Sequence, residues 1–215
     1  MFKTEKKTAG KRSRAVLNER FVSTEQIRMI QLRVQHLMGK DTVNIMMTSA
    51  DDHVKKSLLA VKLSMAMAEQ GKRVLLVDMD TSKPSVHQWF GQTNMSGWAE
   101  TVFDNKKAAG LIQDTIHPGL YTLTAGQNRR GSQDALLMEQ VKKTAAECRG
   151  NFDLVLYLAP SYTSSADAQL VVHECDGVIV TAKTGKTKVA DLLSTRKEVE
   201  KAGNKVLGVI LQTGR

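Results

Sequence analysis

This 215-residue chain has no run of the roughly 20 apolar residues that a membrane-spanning helix needs, and no apolar leader near its start. The expectation is a soluble chain without a secretory signal. It has only two cysteines, Cys148 and Cys175, and their spacing suits no metal site. A disulfide framework and a zinc centre are therefore excluded, and two reduced thiols are expected. Proline is scarce, at three residues, and no Pro/Ser-rich stretch or internal repeat divides the chain. One α/β domain over residues 21–215 is the simplest count. Aromatic residues make up only 5%, and none interleaves with the basic residues near the start beyond Phe2. The stacking platform of a single-strand binder is missing there.

What the chain has is positive charge, unevenly placed. Lys3, Lys6, Lys7, Lys11, Arg12, Arg14 and Arg20 face only Glu5 and Glu19, so residues 1–20 hold more than half of the net charge of +9. With little apolar periodicity, this segment reads as a disordered basic tail. Its readings are a solvated tail with no partner, a contact for anionic lipid or an acidic partner, or a nucleic-acid contact.

Beyond the tail, helical and extended patterns alternate. Ile27, Ile30, Val34 and Leu37 form one apolar stripe behind a Thr24 N-cap. Strand-like runs occupy residues 43–47, 73–77, 120–123, 154–158, 177–181 and 206–211, and helix-like runs 57–69, 132–147, 166–173 and 188–201. Several strand runs are apolar throughout, as strands covered on both faces are. The expected fold is α/β: a doubly wound, mostly parallel sheet flanked by helices. Residues 83–105 are less regular. Trp89, Phe90, Trp98 and Phe103 fall there, as local core or, for either tryptophan, as a partner contact.

Residues 48–57 follow the first strand-like run, open a helix-like run and end in Lys56-Ser57, the close of a phosphate-binding loop. The loop's glycines are absent. In the G-x-x-x-x-G-K-[ST] frame, Ala50 and Lys55 replace them, and Asp51 and Asp52 add carboxylates where a nucleotide would bring negative charge. Glycines allow the positive φ that converges backbone N–H groups on an oxyanion, and Lys55 with its Cβ resists that geometry. At the end of the second strand-like run, Asp78 and Asp80 stand two residues apart, where open α/β sheets bind ligands. Beside a phosphate loop such a pair orients magnesium and a nucleophile.

The run Val74–Gly91 resembles the second Walker motif of the bacterial tyrosine kinases (BY-kinases), P-loop proteins related to the MinD/ParA ATPases, with the form LLVDADLRRPSVHKLFG. Glu25, Arg28 and Gln31 fall in the frame of that family's E-x-x-R-x-x-R ring-forming helix. Further blocks in the right order are Leu120–Gly126, Ser132–Leu137, Phe152–Pro160, Ser165–Ala168, Asp176–Val180 and Leu207–Leu211. The resemblance spans about residues 24–212.

Departures from the pattern are systematic. In the family's P-G-E-G-K-S loop, Asp52 replaces the proline, and His53 and Lys55 the glycines. Leu158 stands where a magnesium-ordering Asp belongs, Ser82 replaces an Arg, and Gln31 replaces the ring helix's third residue. The only tyrosines are Tyr121, Tyr157 and Tyr162, all within the domain. Lys56, Ser57, Asp78 and Asp80 remain at matching positions, with Ser57 and Asp78 as the vestigial metal ligands. Taken with the resemblance, these losses predict a pseudokinase rather than an enzyme, with no ATP or magnesium unless activity is retained. It would be a scaffold or regulator for the cytoplasmic segment of an inner-membrane polysaccharide co-polymerase in exopolysaccharide or capsule production. The expected location is cytoplasmic, peripheral at the inner face of the membrane, and the expected state is a monomer or weak oligomer. The alternatives are a weakly active ATP-dependent tyrosine kinase or ATPase, and a ParA-like nucleic-acid-binding module.

Overall fold

The computed structural model describes residues 24–37, 43–51, 54–127 and 134–213. The basic tail and the loop positions Asp52 and His53 lie outside them, as do Gly39 and Asp41, expected to end the first helix. The elements in chain order are α1 (Thr24–Leu37), β1 (Val43–Ser49), α2 (Lys56–Ala68), β2 (Val74–Asp78), α3 (Val86–Phe90), α4 (Trp98–Phe103), β3 (Gln113–Asp114), β4 (Leu120–Leu123), α5 (Asp134–Cys148), β5 (Leu154–Ser161), α6 (Ala166–Val171), β6 (Gly177–Lys183), α7 (Val189–Lys201) and β7 (Val206–Gln212).

The seven strands lie in the order β3-β4-β2-β5-β1-β6-β7, and every pairing is parallel except β3 with β4. The doubly wound, mostly parallel α/β sheet expected from the alternation is therefore present. Between β1 and β2 sits β5, paired with both. The C-terminal ends of these three strands form the crevice where such sheets bind ligands.

Strands β1 and β2 are buried along their whole length. Ile45, Met47, Leu76 and Leu156 join one core cluster, and Met46, Leu75, Val77 and Val155 join another. Period-2 alternation delivers successive side chains to opposite faces of the sheet. Helix α2 is buried nearly all round, Lys62 included. One side packs on the sheet and α1 covers another. Ile27 and Val34 of α1 are buried, as their spacing implied. Burying each stabilises the fold by about 1.5–3 kcal/mol.

One detail departs from the expectations, and two sharpen them. Gln31 is 5% exposed, and its Nε2 donates to the carbonyl of Ala66 at 2.8 Å. It is therefore not the outward-facing contact implied by the ring-helix frame, because its helix face turns onto α2. Glu25 and Arg28 are exposed. Within the less regular stretch 83–105, α3 runs from Val86 to Phe90 and is capped by Gly91, whose φ of 64° is left-handed. Trp98 is 3% exposed against Tyr157, which bears out the local-core reading of the two given for it. Cys148 and Cys175 are free and buried. Burial pushes both thiols up, that of Cys148 to about 12, which makes them poor nucleophiles.

Candidate functional site

At the C-terminal ends of β1, β2 and β5 lies a cavity of about 350 Å³. The start of α2 contributes Lys55, Lys56 and Ser57, the loop after β2 contributes Asp80, Lys83 and Ser85, and Trp89 and Leu158 complete the wall. Among the described residues, three lysines and one carboxylate thus line it. Asp51, expected to repel a nucleotide, is not part of this lining.

The expectation that Asp78 and Asp80 both point into the crevice holds only for Asp80. Asp78 is fully buried, and its Oδ1 accepts the N–H of Asp80 at 3.1 Å. Its Oδ2 accepts the N–H groups of Ser85 and Val86, both at 2.9 Å. A carboxylate at the end of a strand becomes the anchor of the loop that follows. Desolvation raises its pKa to about 6, although the three amides hold it down.

Asp80 joins the two halves of the cavity. Its Oδ1 accepts the N–H of Lys83 at 2.9 Å, and its Oδ2 lies 4.0 Å from the Nζ of Lys56. Both partners of this ion pair are about one-eighth exposed. Lys56 therefore pairs with Asp80, not with Asp78, because the three loop amides already surround the Asp78 carboxylate. The charge of Asp80 also reaches Asp167 in the first turn of α6, whose carboxyl is raised chiefly by burial and then by Asp80.

Lys55 precedes α2 with φ −80° and ψ 67°. It does not adopt the positive φ that a loop glycine would supply. Its backbone is bonded instead to the side chain of Gln212. Ser57 Oγ accepts the Nε1–H of Trp89 at 3.4 Å. Leu158, in register with Asp78 on β5, puts an apolar surface where an oxygen ligand would stand.

The structure brings the expected Lys55, Lys56, Ser57 and Asp80 to one cavity. Sequence reasoning missed Lys83, Trp89 and Gln212. A signal existed for Lys83, which follows Asp80 by three residues in a turn. None existed for Gln212, which lies far along the chain.

The magnesium implied by such a loop is tested by the donors present. Ser57 offers a hydroxyl and Asp80 a carboxylate, both hard oxygen donors on the cavity wall. They fit magnesium as a reduced set. Among the described residues no cluster of three or more His, Cys, Asp or Glu could hold a metal alone.

The family described as the CobQ/CobB/MinD/ParA nucleotide binding domain matches residues 45–214. The tyrosine-protein kinase YwqD of Bacillus subtilis is 27% identical over 198 residues, covering 92% of this chain and 84% of YwqD. The putative tyrosine-protein kinase EpsB of Ralstonia solanacearum is 26% identical over 87% of this chain, which spans only 25% of EpsB. In solved structures, the kinase domain of the Escherichia coli tyrosine kinase ETK superposes with a TM-score of 0.78 at 22% identity, over 89% of this chain and 76% of that one. The septum site-determining protein MinD of Pyrococcus horikoshii, complexed with Mg-ADP, gives 0.68 at 20% identity, over 79% and 70%.

These findings correct the expectation that the chain is not an enzyme. The relatives are named tyrosine kinases, which points to an enzyme. The loop glycines are missing, yet Lys55 and Lys83 line the same cavity as Lys56.

Proposed function

The chain belongs to the CobQ/CobB/MinD/ParA nucleotide-binding family and has bacterial tyrosine kinases as relatives, and from that premise we propose that it is a slow ATP-dependent protein tyrosine kinase or ATPase. The observation that carries this reading is the cavity lined together by Lys55, Lys56, Lys83, Ser57 and Asp80. Phosphoryl transfer is mainly positioning and electrostatic stabilisation. Three lysines supply charge for a polyphosphate, and the Asp80–Lys56 pair keeps that charge in place before a ligand arrives. Ser57 and Asp80 would hold magnesium, which when bound draws charge from the phosphate oxygens. Trp89 orients the Ser57 hydroxyl, and a hydroxyl oxygen that accepts one hydrogen bond keeps a lone pair for a ligand. Slow turnover follows from the loop without glycines and from Leu158. Losing one preorganised donor alone reduces rate by about 10²–10³.

The partner, in this reading, is the cytoplasmic segment of a polysaccharide co-polymerase in exopolysaccharide or capsule production. The resemblance to the BY-kinases supports it, as does the basic tail, which suits an acidic segment or an anionic membrane. No helix among the described residues is long and apolar enough to cross a membrane.

Calorimetric titration with ATP and ADP, with and without magnesium, tests the site. Hydrolysis and transfer to a tyrosine peptide are then assayed. Binding that depends on Lys56, with slow phosphate release, is the expected result. No binding, and no transfer at high enzyme concentration, overturns the reading. Comparing anionic liposomes, duplex DNA and a co-polymerase segment at about 150 mM salt tests the partner, since exposed charges are screened over about 8 Å there. Tight binding to DNA alone would sink it.

A further inference from the structure

The phosphate loop is tied to the far edge of the sheet through one backbone residue. The N–H of Lys55 donates to Oε1 of Gln212 at 3.3 Å, and Nε2 of Gln212 donates back to the carbonyl of Lys55 at 3.2 Å. A single amide side chain thus satisfies both the donor and the acceptor of one peptide residue. Gln212 ends β7 and is 7% exposed. Its strand is held in parallel register with β6 up to that point, Gln212 opposite Lys183. The clamp therefore springs from a rigid element, and the residue it grips directly precedes α2.

A glycine-containing loop shapes itself by backbone freedom. Here Lys55 sits at a negative φ, and both of its peptide groups are held from outside the loop. The Gln212 amide holds them. It is neutral, so it fixes the backbone without adding a charge to a cavity whose chemistry rests on Lys55, Lys56, Lys83 and Asp80. We propose that Gln212 is a positioning residue for the phosphate site: by clamping the peptide groups of Lys55, it sets the direction in which Lys55 and Lys56 enter the cavity. The inference rests on the cavity's being the site for the phosphates of a nucleotide.

The test uses the full chain with Gln212→Ala and Gln212→Glu, the second keeping the acceptor for Lys55 N–H while losing the donor. Three quantities are read: the Kd for Mg-ADP and for pyrophosphate, KM and kcat for ATP hydrolysis, and hydrogen exchange of the Lys55 amide. Gln212→Ala should weaken Mg-ADP and pyrophosphate by about tenfold, as two hydrogen bonds of ordinary net worth imply. It should raise KM for ATP with kcat within about twofold, and speed exchange at Lys55. Gln212→Glu should fall between it and the wild type. Unchanged or tighter binding by Gln212→Ala, with the wild type binding normally, overturns the positioning role and leaves the cavity reading intact. A wild type that binds neither probe while its Lys55 amide stays protected overturns the cavity reading, and the positioning role with it.

Discussion

The loops after β1 and after β2 end side by side in one cavity, yet they are held by opposite means. The loop after β2 is wired by its own carboxylates. Asp78 accepts amides two, seven and eight residues ahead, and Asp80 one three residues ahead. The loop after β1 is held at Lys55 by Gln212, 157 residues away. A loop anchored locally takes its shape once its strand ends in the right acid. A loop anchored from a distance takes its shape only when the whole sheet has formed. The Lys56–Asp80 pair then joins the two.

Asp78→Ala should break the contrast most severely. It would leave the buried N–H groups of Ser85 and Val86 and that of Asp80 without their acceptor. On the order of 4 kcal/mol of stability should be lost, read from urea unfolding. A loss under about 1 kcal/mol would mean that the local wiring is not what holds this loop.

The pH dependence of the same group sharpens the point. Its folded pKa of about 6 lies above the usual carboxylate value of 3.8. The folded state therefore keeps this proton longer than the unfolded state, and burial of the charge destabilises the fold once Asp78 ionises. The penalty is absent below about pH 4, grows between about pH 4 and 6, and is complete above, at about 3 kcal/mol. Asp78→Asn does not titrate, so the wild type should lose about 3 kcal/mol of stability relative to it as pH rises through that window. A gap independent of pH would refute the shifted ionisation.

Smaller effects probe the junction. Lys56→Ala should weaken Mg-ATP by about thirtyfold in calorimetry, the worth of a charged hydrogen-bonding partner to phosphate. Asp80→Asn removes the negative side chain that the described residues place in the lining. ADP without magnesium should then bind about fivefold more tightly, while hydrolysis slows and loses its magnesium dependence. Equal loss of both activities would show that Asp80 acts only through the loop. Trp89→Phe deletes the long bond to Ser57 and should raise KM for ATP by about threefold at most. In the wild type, Trp89 fluorescence should respond to nucleotide, since Trp98 is buried away in the core.

Most of the fold was legible. The apolar runs at 43–47, 120–123, 154–158 and 206–211 lie within observed strands, and the stripe of Ile27 and Val34 gave the buried face of α1. The short elements were not legible. Helices α3 and α4 run only five and six residues, and β3 only two, so no period could build up. In the site, Lys56, Ser57 and Asp80 were found by motif. The same motif misplaced Asp78, because i+2 spacing puts both carboxylates on one side of the strand only while the strand continues. The chain turns after Asp78, which moves inward to meet the loop amides while Asp80 moves out.

By itself, then, the sequence determined the alternation of strand and helix, the parallel class of the sheet and the loop positions at its C-terminal edge, since these follow from local periodicity and short-range hydrogen bonding. Tertiary structure alone decided that Gln31 faces inward and that Gln212 grips Lys55. Those contacts join residues 35 to 157 positions apart. Such partners come within a few ångströms only after packing has closed the long loops between them, and no local pattern encodes which of them will meet.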